Sequence, residues 1–344
     1  MKKNIFSNSE NSYTYVIGEA GLNHNGSMEI AKKLIDLAIE AGADAVKFQK
    51  RTVSKLAVKS YLDGKDDRFP EFGKTYREIR EYLEFNFEQY VELKSYAEEK
   101  NIDFICTAFD IDAVDFLEKL DLKIYKLASH SLTNIELLNY VAQKSKVTIL
   151  STGMAEIDEI DTAVNIFKKY NAPLILLHCV SAYPTPHNEC NLNLINLLSS
   201  RYSLPVGYSG HELDYLPTLT AVAMGARIIE RHYTLNNEMI GFDHKMSLNP
   251  QNFISMIKQI REIELIKGQT QKSVSVTEWI TRKKYHVSLA LKHDLKKGQT
   301  LTNEMITYRN PGTGIPPKNI GLVLGKKAKG DYSCEELISV DMFE

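Results

Sequence analysis

Eight short runs of β-forming residues recur along the first 233 positions, each separated from the next by a stretch of helical periodicity. The runs are YTYVIG (13–18), DAVKFQ (44–49), DFICTAF (103–109), KIYKLAS (123–129), VTILST (147–152), LILLHCV (174–180), LPVGYS (204–209) and ARIIERHY (226–233). Between the first two, MEIAKKLIDLAIEAGA places Ile30, Leu34, Leu37, Ala38 and Ala41 on one helical face, with Gly42 where a C-terminal glycine belongs. Strands apolar on both faces and separated by helices imply parallel βαβ units. Eight of them over about 250 residues predict a (β/α)₈ TIM barrel. A doubly wound sheet is the competing layout, but its G-x-G-x-x-G turn is missing after the first run, which continues GEAGLNHNG.

The barrel is expected over 15–265, after an N-terminal segment of 1–14. A polar linker (266–284, within KGQTQKSVSVTEWITRKK) follows, then a small β-rich domain over 285–344 with the short runs HVSLALK and MITYRN. One connection stands out: residues 51–86, between the second and third runs, form a polar insertion dotted with aromatics. Long loops inside compact domains are more often functional than accidental.

A formal charge of −2 provides no global attraction to nucleic acid or anionic membrane, so any anion site must be local. The longest apolar run, PLILLHCV, is too short to span a bilayer, and the first residues carry no apolar signal core. Four cysteines without paired spacing fit a reducing compartment, and a cytoplasmic location is expected.

In a barrel, polar residues at the carboxyl ends of strands face the active site. Those ends supply Glu19, Lys47, Gln49, Thr107, Lys126, Ser129, Ser151-Thr152-Gly153, Ser181, Ser209, His211 and His232. An unpaired lysine inside an apolar strand is costly, so Lys47 and Lys126 read as anion binders. The Ser/Thr/Gly turns offer hydroxyls and N–H groups to phosphate or carboxylate. His211 and His232 on adjacent strand ends, with Glu19 and Asp243 on the same face, suit a divalent metal such as Mn²⁺, Fe²⁺, Co²⁺ or Zn²⁺, or Mg²⁺ with waters. His24, His130, His178, His187 and His244 lack such pairing and are expected to be mostly structural.

GEAGLNHNGS, VKFQK, YKLAS, ILSTGM, LLHCVSAYPTP, GYSGHE, IIERHYTL and GFDHKMSLNP resemble, in sequence and order, the sialic acid synthase family. The tail from Tyr285, with YRNPGTGI, resembles its antifreeze-protein-like (SAF) domain. The resemblance implies condensation of phosphoenolpyruvate with N-acetylmannosamine or a related N-acyl hexosamine, giving a nine-carbon sugar acid and phosphate. It implies Glu19 as the catalytic base and His211 and His232 as ligands of a divalent metal (Mn²⁺, Mg²⁺ or Co²⁺). Phosphoenolpyruvate would be held by Lys47, Thr107, Lys126, Ser129, Ser151, Gly153 and Ser209. The sugar side would be lined by Gln49, Ser131, Tyr183 and Asp243. Arg309 would reach it across a domain-swapped homodimer. Where the family carries an acidic sugar contact this chain has Ser131, which leaves the acceptor open. Legionaminic or pseudaminic acid synthesis, and use of a 6-phosphate sugar bound by Lys65, Arg68, Lys74 and Arg77, are the alternatives. A Schiff-base pyruvate aldolase or a non-catalytic carbohydrate-binding protein would be further removed.

Overall fold

The computed structural model of the chain describes residues 13–268 and 270–344, so residues 1–12 of the expected N-terminal segment lie outside it. The eight runs form eight parallel strands: β1 (Tyr15–Gly21), β2 (Ala45–Lys50), β3 (Asp103–Ala108), β4 (Ile124–Leu127), β5 (Val147–Ser151), β6 (Leu174–Cys179), β7 (Val206–Gly210) and β8 (Ile228–His232). They close in sequence order, β1 pairing with both β2 and β8, into the expected barrel. The first helix, Met28–Ala41, starts where the Ser27 hydroxyl caps the Ile30 N–H. It stops at Gly42, whose left-handed backbone (φ +80) turns the chain toward β2.

Strand alternation sorts the barrel wall into two cores. Residues such as Val16, Val46, Phe48, Cys106, Tyr125 and Leu150 point outward and pack under the helices. Tyr15, Ile17, Ala45, Ile105, Ile124, Ile149, Ile175, Leu177 and Ile228 point inward and plug the lower interior. Because the side-chain period is two, the next inward residue up each strand belongs to the upper layer. There isoleucine and alanine give way to Glu19, Lys47, Thr107, Lys126, Ser151, Ser209 and Glu230. The same alternation that fills the barrel floor therefore delivers a ring of polar groups at its mouth.

The 51–86 insertion folds back over short helices, Lys59–Leu62 and Tyr76–Leu83, the latter capped by Thr75. Leu22, Ile79 and Leu83, with Phe69, Phe72 and Phe242, form its own small core. No helix among the described residues is long and apolar enough to cross a membrane.

The chain divides into two units, the second running from Gln269 to Glu344. Part of the stretch expected as a linker is a helix, Val276–Tyr285, begun by a reciprocal cap between Ser275 and Glu278. Beyond it β9 (Ser288–Leu291) and β10 (Ile306–Arg309) pair antiparallel over a core that includes Leu289, Leu291, Leu301, Val323 and Phe343. Arg309 ends β10 with its side chain exposed.

Candidate active site

The polar ring lines a cavity of about 270 Å³ at the carboxyl ends of the strands. Glu19, Lys47, Gln49, Thr107, Lys126, Ser129, Ser151, Tyr183, Ser209, His211, His232 and Asp243 all open onto it.

Its floor is a buried charge set. Lys47 Nζ lies 2.8 Å from Glu19 Oε2 and 3.5 Å from Glu230 Oε1, and it donates to Thr107 Oγ1 at 2.9 Å. Burial lowers the Lys47 pKa, but Glu19 and Glu230 outweigh it and the net shift is upward, so the ammonium stays charged. Lys126 donates to Ser151 Oγ at 2.7 Å and to the Leu127 carbonyl at 3.0 Å, with Glu230 Oε2 at 3.9 Å. Its net shift is downward, burial being the largest cause. Glu230 is pushed up by burial, yet Lys126 and Lys47 together hold its pKa below the usual carboxylate value. Two lysines against two carboxylates leave the floor formally neutral and rich in donors.

On one side Gly153 N–H donates to Ser129 Oγ at 3.0 Å. A side chain at Gly153 would place its Cβ 2.4 Å from Ser181 Oγ and 2.9 Å from Ser129 Oγ. Ser209 Oγ donates instead to Glu230, at 3.2 Å. On the other side β1 bulges between Glu19 and Gly21. Gly21 sits there at φ +53, and a Cβ would meet Gln49, Glu19 and His232 at 3.2–3.3 Å. Glu19 sits beside His232, its register partner on β8, and Gln49 donates to Glu19 Oε1.

The two histidine rings lie 5.8 Å apart. His211 Nδ1 meets the Val180 carbonyl at 2.8 Å, which assigns the proton to Nδ1 and leaves Nε2 bare. His232 Nδ1 is buried without a hydrogen-bond partner, 3.8 Å from Asp243 Oδ2. Burial lowers both pKa values, so both rings are neutral near pH 7. A carbonyl-oriented neutral imidazole and an orphaned imidazole nitrogen on one cavity wall fit a divalent metal of the borderline class. Among the described residues no three His, Cys, Asp or Glu side chains form a complete ligand set. Further positions would fall to water and substrate oxygens.

A buried ion pair ties the two histidine loops together. Arg231 and Glu212, each adjacent in sequence to one histidine, are both 1% exposed and 3.3 Å apart. Arg231 also donates to Thr218 Oγ1 and to the Glu212 and Asp214 carbonyls at 2.6, 2.6 and 2.9 Å. Arg231→Met is expected to cost about 3–5 kcal/mol, because it strands the Glu212 charge in the interior. Adding Glu212→Gln should recover part of the loss. A urea midpoint unchanged in the single variant would contradict this.

Ser131 lies outside the cavity lining. Ser129–Ser131 is one turn of 3₁₀ helix, whose successive side chains diverge by about 120°. Ser129 and His130 face the cavity, while Ser131 turns back into the protein, 1% exposed with its Oγ unpartnered. His130, grouped above with structural histidines, lines the cavity, stacked on Phe109 at 4.7 Å. Its pKa falls to about 4, by burial first and then by Arg51 and Lys126. The other four do not line the cavity; His178 meets the Cys190 carbonyl and His244 meets Thr234 Oγ1, each at 2.7 Å. Three charged lining residues escaped the sequence reading: Glu230, Arg51 and Arg80. Glu230 was legible, because it sits two positions before His232 and so shares its inward face. Arg80 was not, because it comes from the insertion.

Family models match this frame: the NeuB family over residues 34–272 and the SAF domain over 286–344. The chain belongs to the NeuB family. It is 40% identical over 332 residues to the N,N'-diacetyllegionaminic acid synthase of Campylobacter jejuni, covering 94% of this chain and 98% of that one. It is 34% identical to human N-acetylneuraminate-9-phosphate synthase, covering 94% and 92%. The crystal structure of the N-acetylneuraminic acid synthetase from Leptospira borgpetersenii, with citrate bound, is 36% identical, with a TM-score of 0.68 over 79% of this chain and 90% of that one. The resemblance of the motifs to sialic acid synthases and of the tail to the SAF domain thus holds over nearly the whole NeuB-family chain.

Proposed function

We propose that this chain condenses phosphoenolpyruvate with an N-acyl hexosamine, forming a nine-carbon 2-keto-3-deoxy sugar acid and releasing phosphate. One observation carries the reading: two buried lysines with hydroxyl partners and two neutral histidines open onto a single small cavity. A small dianionic substrate and an aldehyde can therefore meet there. The names of the relatives, synthases of legionaminic acid and of N-acetylneuraminate 9-phosphate, support it.

In this reading Lys47 and Thr107 bind the carboxylate of phosphoenolpyruvate, and Lys126, Ser129 and Ser151 bind its phosphate, with Gly153 fixing the Ser129 hydroxyl. Gln49, Tyr183 and Asp243 line the acceptor side. His211 and His232 would hold Mn²⁺, Mg²⁺ or Co²⁺, whose chemistry when bound is Lewis-acid polarisation of the open-chain aldehyde. The C2–C3 π pair of phosphoenolpyruvate forms the new bond from C3 to the aldehyde carbon, whose oxygen becomes a hydroxyl. Water adds at C2 and gives its proton to Glu19. The C2–O bond to phosphate then breaks, phosphate leaves with the electron pair, and the remaining C2 hydroxyl loses its proton to become the ketone.

Incubation with phosphoenolpyruvate, Mn²⁺ and a panel of hexosamines tests this, with phosphate assayed and the product weighed by mass spectrometry. One phosphate per sugar acid is expected. A Schiff-base aldolase would instead use Lys126, whose pKa burial lowers. Its signature would be a borohydride-trapped pyruvate adduct without phosphate release.

The working unit in this reading is a cytoplasmic homodimer in which Arg309 of one chain completes the acceptor site of its partner. The four free cysteines are consistent with a reducing compartment. Mixing Arg309→Ala with His232→Ala chains should regenerate activity, since one hybrid site keeps both groups. No recovery after verified subunit exchange would mean that each site is completed within one chain.

A further inference from the structure

β2 carries one alternating row of side chains past its own end at Lys50. Residues two apart on a strand share a face. Lys47, Gln49 and Arg51 accordingly all line the cavity, from its floor to its outer rim, where Arg80 of the insertion also stands. The chemistry proposed above gives Lys47 and Gln49 a ligand each and leaves Arg51 without a task. Yet Arg51 is only 7% exposed. Burying a guanidinium is costly, and an apolar side chain would fill the same space at lower cost.

What Arg51 touches is a chain of hydrogen bonds that ends on the carboxylate of Glu19. Its guanidinium carbon stands 4.0 Å from the centre of the Phe109 ring, an aromatic contact that steadies the group. From there Nη2 donates to Gln49 Oε1, and Gln49 Nε2 donates to Glu19 Oε1. Glu84 lies 3.7 Å from Arg51 Nη1, beyond hydrogen-bond reach, and its other oxygen pairs with Lys50 at 2.8 Å. It therefore does not draw the guanidinium away from Gln49. Glu19 Oε2, for its part, lies 2.8 Å from Lys47 Nζ, so each oxygen of the carboxylate faces its own donor.

A primary amide has an accepting end and a donating end that occupy almost the same volume. With Oε1 toward Arg51 and the amino group toward Glu19, both ends of Gln49 meet a charged partner of the right kind, and such bonds are the strong ones. Turned over, the amino group would face the guanidinium donors and the oxygen would face the carboxylate, so both contacts would become repulsive. Arg51 thus selects the orientation in which Gln49 holds Glu19. Without it, one end of the amide is free and the carboxylate loses a fixed donor. We infer that Arg51 is a positioning residue, which acts through Gln49 to fix the orientation of the Glu19 carboxylate. The inference rests on the synthase reading, in which that carboxylate takes the proton of the attacking water.

Rates of phosphate release by wild type, Arg51→Met, Glu19→Gln and the double variant form a cycle that tests this. Arg51→Met should lower kcat by about 10- to 10²-fold, with the KM for phosphoenolpyruvate within about twofold of wild type. In the Glu19→Gln chain no carboxylate is left to orient, and the same substitution should cost less than about twofold. A side chain that only fills space would instead lower both chains by the same factor. Arg51→Lys keeps the charge and should give a smaller loss with the same dependence on Glu19; it carries the test if Arg51→Met does not fold. Equal losses in the two backgrounds, an undiminished kcat, or a raised KM for phosphoenolpyruvate would overturn the inference. No phosphate release by the wild type with any hexosamine would sink the synthase reading, and this inference with it.

Discussion

Glu19→Gln is expected to lower turnover by about 10²–10⁴-fold while leaving phosphoenolpyruvate binding in place. The substitution keeps the size of the side chain and its contact with Gln49 but removes the carboxylate that, in the proposed mechanism, accepts the proton of the attacking water. Lys47 retains Thr107 at 2.9 Å and Glu230 at 3.5 Å, so this lysine is not left alone in the interior. Phosphate release in single turnovers and calorimetry with phosphoenolpyruvate separate the two effects. Near-wild-type turnover would place water activation on another group, and a lost binding isotherm would make Glu19 a structural partner of Lys47.

His232→Ala should be nearly as severe. Lewis-acid stabilisation of several kcal/mol corresponds to a loss on the order of 10³-fold or more. Chelation of the wild type should produce a comparable loss that Mn²⁺, Co²⁺ or Mg²⁺ reverses. The variant should also lose the rise in melting temperature that Mn²⁺ gives the wild type, a readout independent of turnover. Its fold should persist, because His232 Nδ1 makes no hydrogen bond that the barrel depends on. Undiminished activity in chelator, or an unchanged Mn²⁺ response in the variant, would remove the metal from these residues.

Much of this was legible from residue order because the barrel is built by local rules. A period of two along each strand and a helix after each strand place Lys47, Thr107, Lys126 and His232 on one face without any tertiary information. Ser131 was not legible: the 3₁₀ turn that rotates it away from the cavity while keeping Ser129 and His130 in it depends on packing, not on local pattern. Nor was the rim. Lys65, Arg68, Arg77 and Arg80 look alike in the sequence, and only the folded insertion shows that three have aspartate partners while Arg80 is carried over Phe242 into the cavity. The helix Val276–Tyr285 was hidden in a polar composition that reads as linker, although its Ser275–Glu278 cap is a recognisable start signal.

The central claim is that phosphoenolpyruvate reacts at carbon, with loss of phosphate by cleavage of the C2–O bond. Phosphoenolpyruvate carrying ¹⁸O in its C2–O–P bridge, condensed with the best hexosamine of the panel, follows that bond directly. The predicted result is ¹⁸O in the released phosphate and none in the sugar acid, one phosphate for each product molecule. Label retained in the sugar acid, or no phosphate release with any hexosamine, would contradict it.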